Sequence, residues 1–495
     1  MDLTQGIRAD ELADGGMIAG NVGEDEVVLA RSGDEFFAVS AHCTHYHGPL
    51  AEGRVDGDTI HCPWHHACFS LRSGSPLGAP AYRPLRVFRT IRDGETVRVS
   101  ADPARIVILG GGAAGAFAAF ELRRLGYRGS VTLLTREDRV PYDKPNLSKD
   151  YLAGRAPEDW IPLRGADEYA AENIELRLRA TVEAIDTARS ELRLADGETV
   201  AYDRLILAAG SSPRRLDAAI DPGSRVRYLR TWTDAEELLR ATQSARRAVV
   251  IGASFIGLET AASLRELELE VTVVGTAARP LENVLGRECA DFVRRVHESH
   301  GVRFRLGRRP VEITADAVVL DDGSREECDV VVAGIGVTPN LDLAASAGLT
   351  LDGGIVVDEF LQTSAPNVFA AGDVARFPHK GAHIRVEHWV AAGRQGQNAA
   401  RNALGLRERF TAVPFFWSQH YDLVFAYAGH ATRADDVQLF GSLDAHNAAA
   451  VIRDNGHIAA VATLFRDDVS LAVEAAMERD ESDDAVLAMI QRAFQ

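Results

Sequence analysis

Cys43-x-His45, sixteen intervening residues and Cys62-x-x-His65 put two thiols and two imidazoles on two short loops of a 495-residue chain. Six of the fifteen histidines and two of the five cysteines lie between residues 42 and 66. Thiolate and neutral imidazole are the softer metal donors of proteins, so the chemistry on offer is metal binding. A structural zinc site takes the same Cys2His2 set, but zinc fingers keep the two cysteines on one knuckle and the two histidines together. Here each loop pairs one Cys with one His. The remaining histidines of the stretch, His42, His47, His61 and His66, read as loop packing or solvent-facing groups, and Cys68 as a small buried residue.

A second chemistry is carried by glycine. Gly110-x-Gly112-x-x-Gly115 sits in RIVILGGGAAGAFAAFELRRLG, where a buried strand meets an amphipathic helix. In that context the glycines let backbone approach a pyrophosphate at a helix N-terminus. The pattern returns in RAVVIGASFIGLETAASLRELELEVTVVG, with Gly252, Ser254 and Gly257 at the matching positions. An internal repeat of a β-turn-α-β unit implies two nucleotide-binding folds.

The elements around these motifs change character along the chain. Residues 1–100 show short apolar runs (EVVLA, EFFAVS, VFRTI, TVRVS) broken by Gly, Pro and Asp, as in a β-rich domain. ADPAR marks a boundary before the first repeat. After residue 410 strand-like runs (VFAYAG, VQLFG, AAAVIR, AAVATLF) precede an Ala-rich terminal helix. A formal net charge of −18 repels phosphate backbones and argues against nucleic-acid partners. The start, MDLTQGIRADELADGG, lacks the apolar core of a secretory signal, and AVVIGASFIGL meets Glu259 well short of a membrane span. Five cysteines in so long a chain are no disulfide scaffold, which suits a reducing cytoplasm.

The two Cys/His loops, with Gly48-Pro49-Leu50 after the first, VDGDTIHCPWH into the second and FSLRSGSP leaving it, resemble those of the Rieske proteins. There, two cysteines hold one iron of a [2Fe-2S] cluster and two histidines the other, which assigns Cys43, His45, Cys62 and His65 as ligands. Gly48 and Trp64 stand where high-potential members carry an extra disulfide, and Ala67 and Phe69 where they carry hydroxyls that donate to the cluster sulfurs. Fewer such donors stabilise the reduced cluster less, so the resemblance implies the low end of the Rieske range, roughly −150 mV. His66 occupies a position that is usually glycine.

Over about residues 104–430 the chain resembles FAD-dependent ferredoxin reductases of the glutathione-reductase superfamily. The carrying segments are PYDKPNLSK, LILAAGSSPR, VVAGIGVTPN, TSAPNVFAAGDVA, EHWVAAGRQG and PFFWSQHYD, beside the two glycine motifs. The resemblance implies that Pro145 lies against the flavin and Lys149 at its reactive edge, paired with Glu259. It puts Asp373 on the ribitol chain, with His388, Trp389 and Trp417 near the ring. An acid for the FAD ribose belongs where Arg136 stands, so Glu137 takes that role. Relatives preferring NADH carry Glu where this chain has Gly275, which leaves Arg279 or Thr276 to meet a 2′-phosphate and keeps both NADH and NADPH open. Lys149, Glu259 and Trp389 are the expected catalytic residues. The cofactor contacts are expected from Gly110, Gly112, Gly115, Glu137, Pro145, Lys149, Gly252, Ser254, Gly257, Asp373, His388 and Trp389.

The expected fold is multidomain α/β. An all-β Rieske domain (1–100) precedes two Rossmann-like domains, with the FAD domain in two parts (104–224 and 325–408) around an NAD(P) domain (225–324). An α+β C-terminal domain (409–495) closes the chain. Cys289 and Cys328 are isolated, so a flavin here has no dithiol to reduce. The expected function is hydride uptake from NAD(P)H by FAD and one-electron delivery to the fused cluster, supplying an acceptor protein such as an oxygenase component. An NAD(P)H oxidase and a slowly turning-over redox sensor of the apoptosis-inducing-factor type are the alternatives. Relatives form dimers, so a homodimer is expected.

Overall fold

A computed structural model describes residues 1–100, 104–434 and 436–495. The ADPAR boundary falls partly on 101–103, outside the described residues.

The N-terminal region is a six-stranded sheet carrying a smaller one. In strand Asp25–Ser32 alternate side chains enter different cores, as the period of two requires. Val27 and Leu29 join Phe36, Phe88 and Val97. Val28 and Ala30 join Val39, Leu50, Ile60 and Phe69 beneath the Cys/His loops. Those loops flank a three-stranded antiparallel sheet of Arg54–Asp56, Thr59–His61 and Cys68–Ser70.

Two parallel five-stranded sheets follow. The first orders Ile174–Arg177, Val131–Leu134, Ile106–Leu109, Arg204–Leu207 and Val368–Ala370, so the chain leaves this sheet and returns to complete it. The second orders Val226–Tyr228, Val330–Ala333, Arg247–Ile251, Glu270–Gly275 and Arg303–Leu306. Strand Ile106–Leu109 is buried at every residue, in a core shared with helix Ala113–Arg124 and with Val182, Leu192 and Val200 of a three-stranded antiparallel sheet. The outgoing and returning connections pair antiparallel, Ser211 with Pro339 and Pro213 with Val337. Helix Ala113–Arg124 lies so close to helix Trp389–Ala403 that a Cβ on Gly396 would come within 2.0 Å of Ala114 O.

The C-terminal sheet is antiparallel, in the order Phe415–His420, Leu423–Gly429, His457–Leu464, Asn447–Asp454 and Asp436–Ser442. One face, with Phe425, Tyr427 and Ala462, packs on Leu258, Leu264 and Phe292 of the second nucleotide fold. The other, with Ala449, Val451 and Val461, packs on two terminal helices, Asp467–Glu478 and Asp483–Ala493. The single Ala-rich helix expected there is divided because Ser482 caps a new start at Ala485 N. Among the described residues no helix is long and apolar enough to cross a membrane.

The Rieske-like region is tied to the first parallel sheet through Arg89 Nη1 and Asp203 Oδ1, 2.8 Å apart. Asp203 is 4% exposed and also accepts from Arg105 N at 2.7 Å. Arg105 Nη2 lies 3.2 Å from the same carboxylate oxygen as Arg89, so Asp203 is shared between the two regions' arginines. Asp203 precedes strand Arg204–Leu207, which puts this anchor at the N-terminal edge of the sheet.

Candidate functional site

The two Cys/His loops are built alike. Cys43 N donates to Gly48 O and His47 N to Cys43 O; Cys62 N donates to Ala67 O and His66 N to Cys62 O. Each loop turns on a left-handed histidine, His47 at φ 56° and His66 at φ 59°. The usual glycine at the His66 position therefore has a backbone reason, and histidine tolerates it better than a branched residue would. A Cβ on Gly48 would fall 2.8 Å from Cys62 Sγ, so glycine is needed where the loops meet.

The donors come together in two pairs. The Cys43 and Cys62 thiols are buried in one cluster, close enough for Cys62 to add to burial in raising the Cys43 thiol. The His45 and His65 rings stand edge to face with centroids 5.1 Å apart. Burial pushes the Cys43 thiol up, while the His45 and Tyr46 N–H groups pull it down. His45 Nδ1 is buried without a hydrogen-bond partner. Among the described residues no three His, Cys, Asp or Glu converge as they would on one ion. Two cysteines beside two histidines, one ring nitrogen orphaned, fit a two-iron cluster better than a single tetrahedral zinc. Ala67 and Phe69 are buried at the cluster base and offer no hydroxyl. Cys68, expected to be buried, is half-buried with its sulfur 3.6 Å from His61 Nε2.

The second site is a cavity of about 940 Å³ at the C-terminal edges of both parallel sheets. Gly110, Gly112 and Ala114 form one wall, Ser254 and Ile256 another, and Asp373, His388 and Trp389 a third. Gly112 has open space where a Cβ would stand, a backbone cradle facing the cavity. Gly115, Gly252 and Gly257 lie behind the turns, where they allow close backbone packing and touch no cavity wall.

On the cavity floor Lys149 Nζ donates to Glu259 Oε2 at 2.7 Å, with side-chain exposures of 9% and 4%. Ser148 Oγ donates to the same oxygen at 2.6 Å. Pro145 and Trp417 also line the cavity. Asp373 accepts from Ser211 Oγ and from Arg230 Nη2 (2.9 Å). Burial pushes the His388 imidazole down to about 4, and its Nδ1 has no partner. A flavin here meets a cradle open at Gly112 and an unmatched ring nitrogen at His388, so the residues present fit it.

Glu137 reaches the cavity wall but is held by Lys144 Nζ at 2.8 Å and by the Tyr142 hydroxyl. Burial would raise its carboxyl; the Lys144 ammonium outweighs that and keeps it below the usual range. Arg279, a candidate for a 2′-phosphate, is engaged by Asp291 (2.8 Å) and Glu282 (3.3 Å). Gly275 is buried, and a Cβ there would lie 3.1 Å from Ala253 Cβ and 3.3 Å from Leu306.

The structure adds residues that the sequence motifs do not single out. Ser211 and Arg230 hold Asp373, and Ser418 Oγ donates to Glu259 Oε1 at 2.6 Å. The one signal for Ser418 is that the apolar run Phe415-Phe416-Trp417 turns polar at Ser418-Gln419-His420 within PFFWSQHYD.

Comparisons with known proteins match both parts of the chain. Residues 104–396 match the family model for pyridine nucleotide-disulphide oxidoreductases, and residues 4–89 match the Rieske [2Fe-2S] domain. Apoptosis-inducing factor 3 of Mus musculus is 31% identical over 489 residues, covering 92% of this chain and 80% of that protein. The ferredoxin–NAD(+) reductase component of the anthranilate 1,2-dioxygenase system of Burkholderia cepacia is 40% identical, covering 66% of this chain and 81% of its own. The covalent putidaredoxin reductase–putidaredoxin complex superposes with a TM-score of 0.73 at 36% identity, covering 76% of this chain and 94% of that one.

Proposed function

The chain belongs to the pyridine nucleotide-disulphide oxidoreductases and carries a Rieske [2Fe-2S] domain, and from that premise we propose that it passes electrons from NADH through FAD to its cluster and on to an oxygenase component. That it is an FAD-dependent, NAD(P)H-oxidising reductase of the ferredoxin-reductase type follows from the family itself. FAD supplies the conversion of a two-electron hydride into single electrons.

The observation that carries the reading is one cavity shared by both glycine turns, with the Lys149–Glu259 pair on its floor and no cysteine in its wall. Cys289 and Cys328 are buried elsewhere and unpaired, their thiols pushed up by burial to about 12 and about 11, so they offer no disulfide to accept electrons. The route open to single electrons is the fused iron–sulfur domain. The protein's own residues would prepare the exchange: Lys149, paired with Glu259, would place its ammonium beside the flavin, and Trp389 and Trp417 in the cavity wall would exclude water. A dioxygenase-system reductase among the relatives supports an oxygenase acceptor, and the engagement of Arg279 by two carboxylates supports NADH over NADPH. All five cysteines are unpaired, which supports a reducing cytoplasm.

One observation favours a second route for the same electrons. The Arg89–Asp203 anchor stands at the N-terminal edge of the sheet, a strand length of about 13 Å from the cavity edge. Arg72 lies beside Gly405, about 24 Å along helix Trp389–Ala403 from the cavity. A cluster carried from that footprint would meet the flavin of a second copy of the chain, in a homodimer, more readily than its own.

An anaerobic titration with NADH and then NADPH, followed by visible absorption and electron paramagnetic resonance, tests the relay. Bleaching of the flavin followed by a rhombic Rieske signal is the expected result, with NADH the better reductant; a bleached flavin beside an oxidised cluster would put the oxidase or sensor reading first. Mixing a cluster-less Cys43→Ser chain with a flavin-less Gly115→Ala chain separates the routes. Recovered cluster reduction in the mixture means exchange between copies.

A further inference from the structure

Behind the cavity floor, on the side of Glu259 away from the cavity, a line of polar side chains crosses the apolar core between the second nucleotide fold and the C-terminal sheet. Ser418 Oγ lies 2.6 Å from Glu259 Oε1 and 3.2 Å from His420 Nε2. His420 Nδ1 lies 3.2 Å from His297 Nε2. His297 Nδ1 lies 3.5 Å from the Tyr421 hydroxyl, the longest step. Tyr421 is half-buried and stacked on the exposed ring of His300, with centroids 3.7 Å apart. Ser418, His420 and His297 are each 0% exposed, and none of them lines the cavity.

The elements make this line possible. Ser418 and His420 are alternate residues of strand Phe415–His420, so both point the same way, toward helix Phe255–Glu266, which carries Glu259. His297 ends helix Glu282–Ser299, and His300, one turn on, stacks on Tyr421 at the surface. The surroundings are Leu258, Leu264, Phe292 and Phe425. Buried polar groups in such a place cost stability unless every one is bonded, and apolar residues of similar volume would pack there at no loss. Stability alone gives no reason for an unbroken chain of them.

We infer that Ser418, His420 and His297 carry protons between the Lys149–Glu259 pair and solvent at Tyr421. This rests on the reading that a hydride arrives beside Lys149 and its electrons leave singly. The balance then requires an exit: NADH gives NAD⁺, two electrons to two equivalents of a one-electron acceptor, and one proton. That proton is left at the buried floor.

Each link suits the task. Burial, reinforced by the Lys149 charge, pushes His420 down to about 3, and burial lowers His297 well below its ordinary value. Both rings are therefore neutral, with one N–H donor and one bare nitrogen each. While Glu259 is ionised, every donor can point inward: Tyr421 O–H to His297 Nδ1, His297 Nε2–H to His420 Nδ1, His420 Nε2–H to Ser418 Oγ, and Ser418 O–H to Glu259 Oε1. A proton on Glu259 Oε1 leaves from the reverse arrangement, which both rings reach by exchanging tautomers and in which Glu259 Oε1–H donates to Ser418 Oγ. Ser418 then donates to His420 Nε2, His420 Nδ1–H to His297 Nε2, and His297 Nδ1–H to the Tyr421 oxygen, whose own hydrogen passes to water. Two arrangements of the same five groups move the proton, and no ring becomes charged at rest.

The test uses the FAD- and cluster-loaded full chain. Stopped-flow mixing with NADH and ferricyanide, in weak buffer with a pH-indicator dye, records electron transfer and proton release together. In the wild type the two are synchronous. In Ser418→Ala, proton release lags about a hundredfold behind electron transfer, and Ser418→Thr, which restores the hydroxyl, removes the lag. His420→Gln provides a second break if Ser418→Ala folds poorly. Without turnover, the downfield ring N–H resonances of His297 and His420 exchange with deuterated solvent at least about tenfold more slowly in Tyr421→Phe than in the wild type. Synchronous release in both inner variants, or unchanged exchange in Tyr421→Phe, overturns the inference. If the wild type reduces no ferricyanide with NADH, the proposed function fails, and the exchange measurement decides the proton path alone.

Discussion

In the first glycine turn the side-chain space of Gly112 is open to the cavity, whereas in the second Ser254 fills that position and bonds twice. Its hydroxyl donates to Gly334 O at 2.8 Å and accepts from Gly257 N at 3.3 Å. The outer glycines, by contrast, serve the same purpose in both turns. Gly110 and Gly252 have φ of 121° and 111°, and a Cβ on either would strike a carbonyl, Ala208 O at 2.0 Å or Gly334 O at 2.3 Å. A Cβ on Gly115 would come within 1.9 Å of Gly110 O, and one on Gly257 within 2.1 Å of Gly252 O. The first and third glycines are thus backbone necessities, and the middle one is a choice. Two residues after the third glycine the units part again: Phe117 lies over Gly393, while Glu259 turns to Lys149. The second fold thus supplies an acid to Lys149 of the first.

The strongest way to break this comparison is to put a methyl group where neither turn has room. Gly115→Ala and Gly257→Ala each force the helix off its turn, at about 1–3 kcal/mol of local strain. Gly115→Ala should purify with little FAD, read from its visible absorption. Gly257→Ala should stay yellow while its KM for NADH rises about tenfold, the equivalent of roughly 1.4 kcal/mol. If Gly257→Ala also loses FAD, the two turns do not serve separate ligands.

A middle-sized effect concerns the strand that follows each turn. In the first unit Gly111 faces Thr135, whose Cβ is 2.9 Å from the space of an added methyl; in the second Ala253 faces Gly275 at 3.1 Å. The same contact is made with the small residue on opposite sides. Gly275 is therefore a packing partner of Ala253, and the missing acid says nothing on its own about which dinucleotide binds. Gly275→Glu alone should cost about 1 kcal/mol of stability and improve the KM for NADH less than about twofold. With Ala253→Gly added, the room returns, and the carboxylate should lower that KM about tenfold, a charged hydrogen bond being worth about 1.5 kcal/mol when well placed. Steady-state kinetics of the two single variants and the double variant close the cycle.

How much of this was legible follows the same division between local and distant contacts. Ligand spacing in the loops and the glycine repeats are local patterns, and both led to the right fold and cofactors. The reason for Gly275 needed only the alignment of one repeat on the other, with Ala253 against Gly111, a step that spacing alone does not prompt. The left-handed backbone at His66 became readable only beside its twin at His47. The Arg89–Asp203 anchor and the Ser418–His420–His297 line join residues more than a hundred positions apart, and no period or motif in the chain announces such contacts. Burial is what gives them meaning, and burial is set by the packing of whole domains.

The finest test exchanges the one position that the two turns leave free. Ser254→Gly gives the second turn the form of the first and removes the hydroxyl from Gly334 O and Gly257 N. At a helix N-cap, serine to glycine costs only a few tenths of a kcal/mol, because water reaches the freed N–H. Here Ser254 and Gly334 both line the cavity, so the space left by the hydroxyl is open to water. The thermal midpoint should therefore fall by less than about 1 °C without nucleotide. With saturating NADH the difference should shrink further, and FAD content should stay unchanged. A larger fall that NADH does not repair would mean that Ser254 holds the turn to strand Val330–Ala333 by itself, and that the second turn, unlike the first, is complete before its ligand arrives.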